Sequence, residues 1–157
     1  MAIEIRRAAA EDVEALVELH REVHEVHLAE RPDQFKPTRD EEIAGVYRTR
    51  LSTANTRVWV AVLDGRAVGH VVAIHHQRAE HAMCPARQWW DIDELGVASS
   101  HRRSGIARAL LQTVVDAATT AGVSEIELNS WAFNRTAHAA FENFGFTPKV
   151  IRFELKR

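Results

Sequence analysis

Cysteine is nearly absent from this chain. Cys84 stands alone, so no disulfide within the 157 residues can hold the fold, and a reducing compartment suits it. Long apolar runs are missing too. None approaches the ~20 residues of a membrane span, and Met1–Arg7 has no apolar signal core. Neither sign of charge dominates: 20 basic and 22 acidic residues leave a formal net charge of −2. That excludes the basic footprint of a nucleic-acid binder. Tyrosine occurs once, at Tyr47. A cytoplasmic protein is expected.

What is present describes an ordinary globular domain, 46% hydrophobic and 27% charged. A chain of this length buries roughly two thirds of its unfolded surface and needs no metal or disulfide to fold. Nine histidines are more than usual. His20 and His24 share a helix face, but the glutamate of an H-E-x-x-H site is lacking, and no metal is expected.

Periodicity outlines the elements. Ile3 to Arg7 alternates as a first strand, and Ala10 to Ala29 carries a helical three-four spacing. Pro32 and Pro37 break it, and Asp40 to Leu51 reads as a second helix with acidic residues at its start. Arg57–Leu63 and Arg66–His76 flank Asp64-Gly65, a strong hairpin signal. A loop through Pro85 leads to a fourth strand, Gln88–Ala98. A helix over Ser104–Ala121, a strand over Val123–Ser130, a helix over Asn134–Phe144 and a last strand over Lys149–Leu155 follow. The order βααβββαβαβ predicts one mixed α/β layer structure.

The junction Val97-Ala-Ser-Ser-His-Arg-Arg-Ser-Gly-Ile-Ala107 is the most informative stretch. A strand ends, a basic turn follows and a long helix begins. The first turn of a helix carries unpaired N–H groups and partial positive charge, which suit phosphate. Gly105 lets a ligand approach the backbone, Ala107 keeps the next turn small, and Arg102 and Arg103 add charge.

These residues carry a resemblance. Arg102-Arg-Ser-Gly105-Ile-Ala107 is similar to the Arg/Gln-x-x-Gly-x-Gly/Ala pyrophosphate motif of the Gcn5-related N-acetyltransferase (GNAT) superfamily, and it follows a strand ending Glu94-Leu-Gly-Val97 as it does there. Asn134-Arg-Thr-Ala137 through Phe141-Glu-Asn-Phe-Gly145-Phe146 resembles the family's block downstream. The resemblance implies a single α/β (α+β) domain over residues 1–157. Its mixed central sheet is flanked by helices and splays between the fourth and fifth strands. It implies acetyl-CoA as co-substrate and an amine acceptor, small or peptidic. Leu95, Gly96 and Val97 would offer backbone contacts to pantetheine. Arg102, Arg103, Ser104, Gly105, Ile106 and Ala107 would hold the pyrophosphate, and Asn134 and Phe141 would line the far side. A homodimer stays open.

Direct acyl transfer needs a neutral amine, a polarised thioester and a stabilised thiolate, and no enzyme nucleophile, so Cys84 is not required. The resemblance implies a base on the fourth strand. Counting back from Val97, Leu95, Asp93 and Asp91 share a face unless a β-bulge shifts the parity. Asp91 and Asp93 are the first candidates, then Glu94, with Glu127 on the fifth strand as the other. Where the family carries a tyrosine as thiolate donor, this chain has Phe141. That departure keeps a second reading open, a non-catalytic acyl-CoA-binding sensor or partner module. Trp89, Trp90 and Trp131 either stack on an acceptor or fill the core. His24, His27, Phe35 and Tyr47 fall where the resemblance places the acceptor lid.

Overall fold

A computed structural model describes residues 2–157. Strand β1 (Glu4–Arg7) is followed by a 3-10 turn at Ala10–Asp12, then helices α1 (Val13–Glu30) and α2 (Asp40–Ser52). Strands β2 (Thr56–Leu63), β3 (Arg66–Arg78) and β4 (Arg87–Val97) come next. A 3-10 turn at Ser99–His101 leads into helix α3 (Ile106–Thr120), strand β5 (Ile126–Leu128) and helix α4 (Arg135–Phe144). The sheet order is β1-β2-β3-β4-β5, antiparallel except for the parallel β4–β5 pair.

Alternation along the strands divides the core in two. Trp59, Ala61, Val71, Ala73 and Trp90 face α3, whose Ile106, Leu110, Leu111, Val114 and Ala118 form its buried stripe. Val58, Val60 and Val72 point the other way, onto Leu16 and Val17 of α1 and Ile43 and Tyr47 of α2. Each large apolar side chain so buried contributes about 1.5–3 kcal/mol. The sheet is therefore covered on both faces, and what remains open is the gap where β4 and β5 part. No helix of the described residues is long and apolar enough to cross a membrane.

Three expectations change. The strand expected over Val123–Ser130 is paired only from Ile126 to Leu128, because the chain then diverges from β4. The last strand, expected over Lys149–Leu155, is absent. The segment alternates as a strand should but has no sheet partner among the described residues. A bulge interrupts the β3–β4 register between Val72↔Glu94 and Ala73↔Ile92, leaving Asp93 as the extra residue. Asp91 and Asp93 therefore do not share a regular face with Leu95. Beyond the bulge Leu95 and Val97 fall in with Trp90 and Ile92 against α3. Glu94 instead turns toward α1 and α2, where it meets His20, Tyr47 and Arg50.

Candidate active site

The pairs Trp90↔Ile126, Asp91↔Glu127 and Ile92↔Leu128 are the last between β4 and β5. From Glu94 to Val97, β4 stays paired to β3 but has lost its neighbour on the other side. A V-shaped gap opens there, and the loop from Ala98 to Gly105 lies at the end of β4 that bounds it. Ser99 N–H donates to Glu22 Oε2 of α1 at 2.8 Å, and Ala98 N–H to Val68 O at 2.8 Å, so the start of this loop is pinned to α1 and to β3.

Gly105 is the N-cap of α3, with φ of 82°. A β-carbon there would meet nothing within 4 Å, so the left-handed backbone, rather than crowding, calls for glycine. No side chain caps the helix and its first turn holds no acid. Its leading N–H groups are free beside the exposed Arg102, Arg103 and Ser104. Ser104 Oγ donates to His101 O and so shapes the turn. Ile106 does not face the loop; it is buried against Gly69 of β3. Ala107 is half-buried.

On the opposite wall, Asn134 caps α4: its Oδ1 accepts from Ala137 N–H at 3.3 Å. Phe141 packs, half-buried, on the core side of α3 with its ring 6.0 Å from that of Phe146. Gly96 owes its lack of a side chain to its neighbour on β3, since a β-carbon would stand 2.6 Å from Cε1 of His70.

The four candidate acids have different surroundings. Glu94 is buried at the apex of the V. Its Oε1 accepts from His20 Nδ1 at 2.7 Å, His70 Nε2 at 2.9 Å and Tyr47 OH at 3.1 Å, and its Oε2 from Arg50 at 2.9 Å. Burial opposes the charge, but the hydrogen bonds and charges of His20 and His70 outweigh it and hold the carboxyl well below the usual range. Asp93 in the bulge pairs with Arg50 at 2.6 Å. Glu127 is taken up by Arg87 at 2.6 Å and by Lys149, and it also sits below the usual range, these partners outweighing its burial. Asp91 alone of the four has no ion-pair partner among the described residues, and burial above all pushes its carboxyl up.

The buried cluster of His20, Tyr47, Arg50, His70 and Glu94 escaped the reading of the sequence. Its signal was there: His70 interrupts Ala67-Val-Gly-His-Val-Val72, an otherwise apolar run in a central strand. Tyr47 is fully buried and donates its O–H to Glu94, and burial, reinforced by Glu94, drives its phenol far above the usual range. Cys84 lies in the β3–β4 connection, at the opposite end of β4 from the Ala98–Gly105 loop.

A run of rings covers the mouth of the V. His24 and His27 of α1 contact Phe35, Phe35 meets Trp131 at 5.7 Å, and Arg31 lies 4.8 Å over the Trp131 ring. His20 stacks on His24 at 6.0 Å, joining this mouth to the buried cluster. Trp90 is core, and Trp89 stacks on His76 away from the mouth.

Comparison with known proteins agrees with this geometry. The model of the acetyltransferase (GNAT) family matches residues 13–146. Mouse N-acetyltransferase family 8 member 3 is 30% identical over 105 residues, covering 67% of this chain and 45% of its own. Human N-acetylaspartate synthetase is also 30% identical over 105 residues, 67% of this chain and 32% of its own. The chain thus spans less than half the length of these curated relatives. Among solved structures, a point mutant of the BH1408 protein from Bacillus halodurans has a TM-score of 0.94 at 25% identity, covering 98% of this chain and 99% of its own. Aminoglycoside N-acetyltransferase AAC(6')-Iy, solved in complex with CoA, has a TM-score of 0.78 at 19% identity, covering 99% and 95%.

Proposed function

The chain belongs to the acetyltransferase (GNAT) family, and on that premise we propose that residues 1–157 form one acyl-CoA-binding domain that transfers an acetyl group from acetyl-CoA to a primary amine. The observation that carries this reading is the parting of β4 and β5 beyond Ile92 and Leu128, directly ahead of the open helix end at Gly105. Main-chain groups of Leu95, Gly96 and Val97 receive the pantetheine arm. The N–H groups after Gly105, with Arg102, Arg103 and Ser104, receive the pyrophosphate. Ile106 and Ala107 contribute backbone only. Phe141 packs beside the cofactor tail, and Asn134 fixes the start of the helix that carries it. The names of relatives, aminoglycoside N-acetyltransferase among them, support an amine acceptor.

In the step itself the amine nitrogen attacks the thioester carbonyl, the C–S bond breaks and CoA leaves as thiolate. The proton shed by the nitrogen goes to a base, directly or through water. Asp91 is the acid of the four best suited, being free of ion pairs and raised toward a useful range by burial. His20 is the second candidate: its Nδ1 lies 2.7 Å from Glu94 Oε1 and its ring stacks on His24, an imidazole oriented by a carboxylate. Ionised and enclosed, Glu94 positions; it does not take the proton. Phe141 cannot return a proton to the thiolate, so water or the Ser130 hydroxyl delivers it, or a backbone N–H stabilises the anion until CoA leaves.

The same phenylalanine favours the second reading, a non-catalytic acyl-CoA-binding module. Thiol release from acetyl-CoA over a panel of amines and peptides, alongside thermal melting with acetyl-CoA, separates the two. At about 100 times its dissociation constant the ligand adds roughly 2.7 kcal/mol. A melting shift with acceptor-dependent thiol release supports the transferase. A shift without any thiol release favours the module, and no shift at millimolar acetyl-CoA removes both.

A further inference from the structure

Strand alternation sends the two arginines of β1 to opposite faces of the sheet. Arg6 turns toward the start of α1 and meets Asp12 through two hydrogen bonds of 2.8 Å. Arg7 lies on the other face, opposite Trp59 of β2, with its guanidinium 5.3 Å over that ring. Arg57 stands two residues before Trp59, diagonal to Arg7, and its guanidinium lies 4.8 Å over the ring of Trp90. The two rings pack 6.3 Å apart. Neither Arg7 nor Arg57 makes an ion pair or a side-chain hydrogen bond among the described residues. Burial, and after it the charge of Arg57, lowers the Arg7 guanidinium from its usual value. Two like charges are thus held side by side with no acid built in to balance them.

Arg57 also walls a cavity of about 50 Å³, together with Asn55, His75 and Trp90, and no carboxylate is among its lining residues. A water needs about 10–15 Å³, so this space suits a small ion and excludes a cofactor. Its rim is fixed: His75 N–H donates to Asn55 O at 2.8 Å, and Asn55 Nδ2 donates to His75 O at 3.2 Å. The indole Nε1–H of Trp90 is buried without an acceptor among the described residues, a costly state that an oxygen-bearing ligand relieves. The rings beneath the guanidiniums hold them in place and accept none of their N–H bonds. A planar guanidinium binds phosphate through paired N–H bonds. Two such charges match one phosphate dianion, which carries about −1.5 to −2 at pH 7. We infer that Arg7 and Arg57, set on the Trp59–Trp90 pair, form a second anion site that takes a dianionic phosphate group, either the free ion or that of a small phosphate ester. Trp90 stands seven residues before Val97, roughly 20 Å along β4. The site is therefore separate from the one proposed for acetyl transfer.

Nuclear magnetic resonance of the isotope-labelled, CoA-free chain tests this. Inorganic phosphate is titrated at constant ionic strength, with sodium chloride making up the balance. The Nε–H signals of Arg7 and Arg57 and the indole signal of Trp90 are expected to shift together and to saturate. R7Q and R57Q should each weaken phosphate at least about tenfold, the loss of charge-assisted hydrogen bonds. R7Q/R57Q should abolish the shifts while acetyl-CoA affinity stays unchanged. G105E, which alters the other proposed phosphate seat, should leave the shifts intact. Acetate, a planar monoanion, should bind about tenfold or more weakly than phosphate. Glycerol 3-phosphate separates the two sources: tighter binding than the free ion supports the site as one for a phosphate ester, and equal or weaker binding supports it as one for the ion. Unsaturable shifts, the same shifts with chloride alone, their loss in G105E, acetate as tight as phosphate, or full phosphate affinity in R7Q/R57Q overturns the inference.

Discussion

Gly96 and His70 face one another across β4 and β3 and share one space: a β-carbon on Gly96 would lie 2.6 Å from Cε1 and 3.1 Å from Nδ1 of His70. His70 is fully buried, and Val23 of α1 closes the same space at 3.0 Å. The glycine beside the expected pantetheine path is thus also what lets an imidazole sit under Glu94. Gly96→Ala should destabilise the fold by about 1–3 kcal/mol through overpacking. Chemical denaturation checks this, and Gly96→Ala in a His70→Ala background should cost far less. An equal loss in both backgrounds would mean that His70 is not the obstacle.

Glu94→Gln leaves Arg50 and the imidazoles of His20 and His70 without their buried anion, a loss of about 3–5 kcal/mol. The sign follows from the depressed carboxyl. The folded state binds the proton less readily than the unfolded chain. The stabilisation is therefore complete above the ordinary glutamate value, about 4.3, and is lost as pH falls through the lower folded value. Denaturation of wild type and variant across pH should show a full gap at neutrality that narrows below about pH 4. A gap independent of pH would contradict the ionised state.

Gly105→Ala and Gly105→Glu should both fold, each losing about 1–2 kcal/mol to the left-handed backbone. There is open space for either side chain. The glutamate adds bulk and negative charge where the phosphates are proposed to lie, so calorimetry should find CoA binding lost in Gly105→Glu and retained in Gly105→Ala. Equal affinity in the two variants would move the phosphates elsewhere.

Asp91→Asn tests the base. A positioned base is worth on the order of 10²–10⁴-fold, and kcat/KM should fall within that range while CoA affinity holds. Because burial raises the Asp91 carboxyl, wild-type activity should decline on the acid side as this group protonates, and that limb should vanish from the Asn variant. If instead the limb persists in Asp91→Asn and disappears in His20→Gln, the imidazole is the base.

Phe141→Tyr adds a phenol at nearly constant shape on α4. Acetyl-CoA affinity should stay within a few-fold. Where thiolate protonation limits turnover, kcat should rise toward the lower end of the roughly 10²–10⁴-fold range of acid assistance. Steady-state kinetics at saturating acetyl-CoA reads this. A large fall in kcat with binding intact would show an apolar task for Phe141.

The elements were legible in the sequence because their causes are local. The three-four spacing of α1 and α3, the Asp64-Gly65 turn and the Arg102–Ala107 junction act through residues a few positions apart, and they place the helices, the hairpin and the loop that opens α3. What depends on a partner far along the chain was decided only by the tertiary structure. The bulge at Asp93 arises from pairing with β3, and that one extra residue takes Asp91 off the face of Leu95 and sets it on the face of Glu94. His20, Tyr47 and His70 reach Glu94 from α1, α2 and β3, a convergence no local period encodes. Residues 149–155 alternate as a strand would, which led to an expected last strand, but a strand exists only where another backbone accepts its hydrogen bonds, and the described residues of this chain do not supply one.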